Sequence, residues 1–127
     1  MSASLAVQTL MFDALAGVPG VTGIFDGPPP DAAPPYIVIG SDVVTDWSTK
    51  TETGHEHRLV INVWDAGPGS AGAKSVMGEV ETRLTALAGA ARGHRVVSAV
   101  LLRSLVLTDA EGWSQGIIEF RVRSIAL

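Results

Sequence analysis

"WDAGPGSAGAKSVMGEVE", residues 64–81, decides between two folds. Gly67, Gly69 and Gly72 carry the G-x-G-x-x-G spacing after an apolar run and before a helical pattern, with Lys74-Ser75 close behind. Read as a phosphate cradle, the stretch opens a parallel βαβ unit. Read as a plain turn from strand to helix, it belongs to a different kind of sheet. A dinucleotide site needs an acid about twenty residues further on to hold the ribose. Position 87 is Leu87, and its surroundings, "TALAGAA", contain no acid. A phosphate loop needs Gly-Lys-Ser contiguous, whereas Ala73 separates Gly72 from Lys74 and turns the lysine by about 100° around a helix. The turn reading therefore prevails. Gly67-Pro68 ends a strand, Pro68 or Ser70 opens a helix, and the small residues let that helix lie close on a sheet.

Upstream, "YIVIGSDVVTDW" (36–47) and "HEHRLVINVWD" (55–65) are rich in β-branched and aromatic residues. Joined by the polar "STKTETG", they are predicted to pair antiparallel. That Thr-rich tip has little apolar surface to anchor it and is expected to be mobile until a neighbour orders it. Downstream, Ala73, Val76, Met77, Val80, Leu84 and Leu87 share one face of a helix over 70–88, ended by Gly89. Segments 95–107 and 113–126 form a closing hairpin around "TDAEGW". In the last strand Ile118, Phe120 and Val122 alternate with Glu119, Arg121 and Arg123, giving a dry face and a charged one.

At the other end, Val7, Met11, Ala14 and Val18 recur at helical spacing, with Ser4 as cap and Gly17 as stop. "VTGIF" reads as a short strand. "GPPPDAAPP" then gathers five of the seven prolines into a stiff surface loop with no P-x-x-P spacing. The order of helix, three strands, helix and two strands predicts one α+β domain over 1–127. Its sheet is expected to be mostly antiparallel, of four to five strands, with both helices packed on one face.

The 127 residues contain no cysteine, which removes disulfides, thiolate metal sites and thiol nucleophiles and suits a reducing compartment. No base precedes Lys50, so the start lacks the positive region of a secretory signal. The net charge of −4 is unevenly placed: residues 1–49 carry five acids and no base, and the remainder nine bases against eight acids. Nucleic-acid binding through a basic patch is not expected. "HEH" (55–57) points two imidazoles to one strand face and Glu56 to the other, so at most two metal ligands converge, and a solvated strand end is the expectation. No serine lies in a nucleophile-elbow context. Trp47, Trp64 and Trp113 stand at strand ends, where packing in a core or a subunit interface is the favoured role.

The order of segments resembles the tail-terminator or tail-completion family of long-tailed bacteriophages and phage-like gene transfer particles. The resemblance rests on a Pro-rich loop leading into "PPYIVIG", on "HRLVINVWD", on a small-residue turn into "AKSVMGEVETRLTAL", and on the closing "IIEFRVRSIAL". It implies a non-enzymatic subunit, without cofactor or metal, that forms a closed ring, usually a hexamer, at the head-proximal end of the tail tube. Its partners would be further copies of itself, the tail-tube protein and a head-connector or head-completion protein, with DNA passing through unbound. Head-completion or tail-tube protein is the alternative, and a small nucleotide-binding enzyme using 67–75 a more distant one. Contacts that close a ring need two complementary surfaces on each subunit. The residues expected to supply them are Asp42, Asp46, Trp47, Lys50, Glu52, Arg58, Trp113, Arg121 and Arg123.

Overall fold

Strict alternation along the last strand sets the layering. Ser114, Gly116, Ile118, Phe120, Val122 and Ser124 are buried, and the residues between them are half-exposed. The computed structural model describes residues 2–29 and 31–127. Its elements are α1 (Ala3–Leu15), β1 (Ile24–Asp26), β2 (Tyr36–Asp46), β3 (Gly54–Asp65), α2 (Ala71–Thr85), β4 (Ala90–Ala91), β5 (His94–Thr108) and β6 (Ser114–Ala126). One sheet has the order β1-β2-β3-β6-β5-β4.

The sheet therefore has six strands and is mixed, where four to five mostly antiparallel strands were expected. Two short elements make the difference. β1 runs parallel to β2, with Ile24 opposite Ile37. β4 has two residues and pairs with His94 and Arg95 through the two-residue loop Arg92-Gly93. Both loop residues have positive φ, +48° and +79°, as a primed hairpin turn demands.

Both helices cover the same sheet face. Val7, Met11 and Leu15 of α1 and Val76, Val80 and Leu84 of α2 join Ile37, Ile61, Ile118 and Phe120 in one core cluster. Arg83 of α2 donates to the carbonyls of Ala14, Ala16 and Gly17 at 3.3, 2.7 and 3.3 Å. A cation thus satisfies the orphan acceptors at the end of α1 and ties the two helices together. The cap of α1 is Ser2, whose side chain accepts from Leu5 N, and not Ser4, which is engaged elsewhere. No helix among the described residues is long and apolar enough to cross a membrane.

Bulges redirect two strands. In β2 the register shifts between Ile39 and Asp42, so Asp42 shares the helix-covered face with Ile37 and Ile39. In β5 it shifts at Val97 and again at Leu102. The polar tip between β2 and β3 closes on itself: Thr49 N donates to Glu52 O at 2.8 Å, and Gly54 N to the Ser48 hydroxyl at 3.0 Å. The residues that looked unanchored in the sequence supply their own turn.

Candidate functional site

Contacts made by the glycine stretch show it to be a turn from strand to helix. Gly67 has φ +86°, and a Cβ there would lie 2.8 Å from Gly112 O. A Cβ on Gly72 would overlap the Asp65 carboxylate, which rests against the first turn of α2. The helix N-terminus that could attract a phosphate already faces the chain's own anion, and a second anion there would be repelled. Lys74 is exposed and has no ion pair among the described residues. Lys74→Ala is expected to leave stability within about 0.5 kcal/mol of wild type. No nucleotide should shift the melting temperature of either protein, which a thermal-shift screen checks.

The histidines are not a solvated strand end. His57 is fully buried, and its Nε2 lies 2.9 Å from the Ser124 hydroxyl. The His55 ring stands 6.4 Å from that of His57 and 6.0 Å from that of His94. The β2 bulge brings in Asp42, bonded to the Ser4 hydroxyl, with its Oδ1 3.6 Å from His57 Nδ1 and so beyond hydrogen-bond reach. Asp42, His57 and Ser124 thus fall in the order of a hydrolase triad, yet Ser124 has no exposed surface and no substrate reaches its oxygen. The set links α1, β2, β3 and β6 as a buried polar connection. Ser124→Ala, which leaves His57 Nε2 without that partner, is expected to cost about 1–3 kcal/mol in urea unfolding and to leave assembly unchanged. Among the described residues no group of three His, Asp or Glu side chains stands ready to hold a metal ion.

The face of the sheet away from the helices is uncovered. It carries Arg58, Arg95, Arg103, Arg121 and Arg123, five of the nine bases, against Glu56 and Glu119. Arg103 reaches Glu119 with two bonds, of 2.9 and 3.2 Å, and holds its carboxyl below the usual carboxylate range. Arg123 bonds Glu56 at 3.1 Å and lies 5.0 Å over the Trp47 ring. At the centre, Arg58 and Arg121 stand directly opposite each other across β3 and β6. Arg58 has Glu56 at 3.7 Å; Arg121 has no acid within ion-pair distance among the described residues, and its buried Nε has no partner. Like charges directly opposite on a sheet destabilise it.

One end of this face is aromatic. Tyr36, Val38, Trp64, Trp113, Pro28 and Pro29 wall a hollow of about 310 Å³. Trp64 and Trp113 meet edge to face at 6.5 Å. The Asp109 carboxylate holds that turn by accepting from Glu111 N and Trp113 N. A second hollow, of about 270 Å³, shares the two tryptophans and adds Leu107.

The residues expected at an interface divide between these regions. Arg58, Arg121 and Arg123 lie together on the open face, with Trp47 beneath Arg123. Trp113 stands at its aromatic end. Asp46 accepts from Ser48, and Lys50 and Glu52 are exposed at the same tip. Asp42 lies on the opposite, helix-covered face, occupied by Ser4 and His57. Sequence reasoning missed Tyr36, Trp64 and the two prolines as one hollow, because Pro28, Pro29, Tyr36, Val38, Trp64 and Trp113 are far apart along the chain and meet only in the fold. It also missed exposed Val97, Val100, Leu101 and Leu102, whose outward aim depends on the β5 bulges.

These features define a small α+β subunit whose distinctive surface is an open, charged sheet face with an aromatic end. That is the equipment of an assembly component. The chain belongs to the family described as tail completion protein gp17, whose profile matches residues 9–124. It is 30% identical over 102 residues to the tail completion protein gp17 of Bacillus phage SPP1, covering 80% of this chain and 75% of that protein. Among solved structures it is similar to a chain in the virion of a native gene transfer agent particle, with TM-score 0.76 and 28% identity over 98% of this chain and 96% of the other. It is also similar to the structure of bacteriophage SPP1 gp17, with TM-score 0.62 and 27% identity over 98% and 91%.

Proposed function

We propose that this chain is a structural, non-enzymatic subunit of a ring, hexameric by the family resemblance, that caps the head-proximal end of a phage-type tail tube. The ring stops tube polymerisation and offers the head connector or a head-completion protein its docking surface, while DNA passes through without specific binding. Membership of the tail-completion family and similarity to a chain of a gene transfer agent virion support a place in such a particle. The observation that carries the assembly reading is the opposed Arg58 and Arg121 at the centre of an uncovered sheet. A subunit that worked alone would gain by pairing or separating those charges; a partner supplying an acid gives the arrangement a use.

Light scattering over a salt series, paired with circular dichroism, tests the ring. The predicted result is a multiple of the subunit mass at low salt that falls as salt rises, with secondary structure unchanged. A single-subunit mass at every salt concentration and protein concentration contradicts it.

A further inference from the structure

We infer that the joint between subunits is made by the acidic aromatic end of one copy receiving the basic β5 edge of the next. This rests on the ring reading above and names the two surfaces that would form it.

The receiving side is the hollow walled by Tyr36, Trp64 and Trp113. The loops beside it carry Asp31, Asp109 and Glu111, all exposed, and no lysine or arginine among the described residues. An apolar side chain flanked by bases is the chemistry that fits such a place: burial in an aromatic pocket supplies affinity, and the surrounding charges set register.

The chain itself presents that chemistry. β4 pairs with β5 only at His94 and Arg95, so the rest of this edge has no strand beside it. Along it runs Arg95-Val-Val-Ser-Ala-Val-Leu-Leu-Arg103, with Val97, Val100, Leu101 and Leu102 exposed by 46, 39, 39 and 38%. Val97 and Leu102 are the bulged residues. Two bulges spoil the edge for simple strand addition, so it is blunted against open-ended pairing while its apolar side chains remain available to enter a pocket. Val100 sits opposite Arg121, which places the acid-less arginine next to this edge.

The two surfaces differ, so the contact is head-to-tail. They also lie apart on the subunit, the hollow where β2, β3 and the β5–β6 turn meet and the free edge along the 95–103 half of β5. A head-to-tail contact of this kind repeats around an axis and closes when the rotation allows.

Because the chain has no cysteine, single thiols can be placed freely. Glu111→Cys and Leu102→Cys proteins, co-expressed and treated with a flexible bis-maleimide, are expected to give covalent dimers, and neither variant alone should do so. Trp113→Ala and Leu102→Asp should each reduce the assembly to subunit mass with unchanged circular dichroism. If wild type is a ring but dimers form within one variant alone, or in no combination, this joint is wrong and the ring reading stands. If wild type has the mass of a single subunit at every salt and protein concentration, both fall.

Discussion

Val80→Asp is expected to yield no folded subunit. Val80 has no exposed surface and sits on the α2 face that fills the core with Met77 and Leu84. An ionised carboxylate there is set among the apolar side chains of the core and loses its water, at a cost of several kcal/mol after relaxation. A domain of this length holds roughly 6–19 kcal/mol of total stability, of which the lost valine packing removes a further share. The cost is thus comparable with the whole. The protein should be insoluble or show no cooperative melting transition, whereas Thr82→Asp, exposed on the same helix, should melt within a few degrees of wild type. A cooperative transition in Val80→Asp near the wild-type temperature would mean that α2 does not pack as described.

The second large effect runs in opposite directions for folding and for assembly. Arg121→Glu replaces two arginines directly opposite each other by a cross-strand pair of opposite sign with Arg58. Cross-strand charge pairs are worth about 0.2–1 kcal/mol, so the isolated subunit should be slightly more stable in urea. The same change puts a carboxylate where a neighbour's acid is expected, and light scattering should show assembly lost at salt concentrations where the wild-type ring persists. Arg121→Gln, which removes charge without reversing it, should weaken assembly less. Equal assembly by wild type and Arg121→Glu would leave the opposed arginines without a function.

Local chemistry carried much of this fold. The helices, the long strands and the turn nature of the glycine stretch follow from apolar spacing and from what Leu87 and Ala73 fail to provide. The parts that stayed hidden depend on events no local pattern records. A bulge at residues 40–41 changes which face Asp42 joins, and with it the environment of His57. Two bulges in β5 turn Val97 and Leu102 outward in a strand that reads as continuous apolar sequence. β1 and β4 are too short to carry a periodic signal, and β1 is held by register with Ile37, Val38 and Ile39. Arg83 spans from α2 to the end of α1, a contact between residues 66–69 positions apart. The candidate surface was legible in part: Arg58, Arg121, Arg123, Trp47 and Trp113 do share the uncovered side of the sheet, while Tyr36 and Trp64 join them only once the strands are paired.

The central claim, that the chain caps a tail tube, is tested most directly by adding the purified protein to isolated tubes of its own particle and imaging both ends by electron microscopy. Free tube protein is then supplied. The expected result is added density at one end only, no further growth from that end, and capped tubes that become competent to join heads. Growth continuing through incorporated copies of the chain, or tubes with both ends bare, would contradict it.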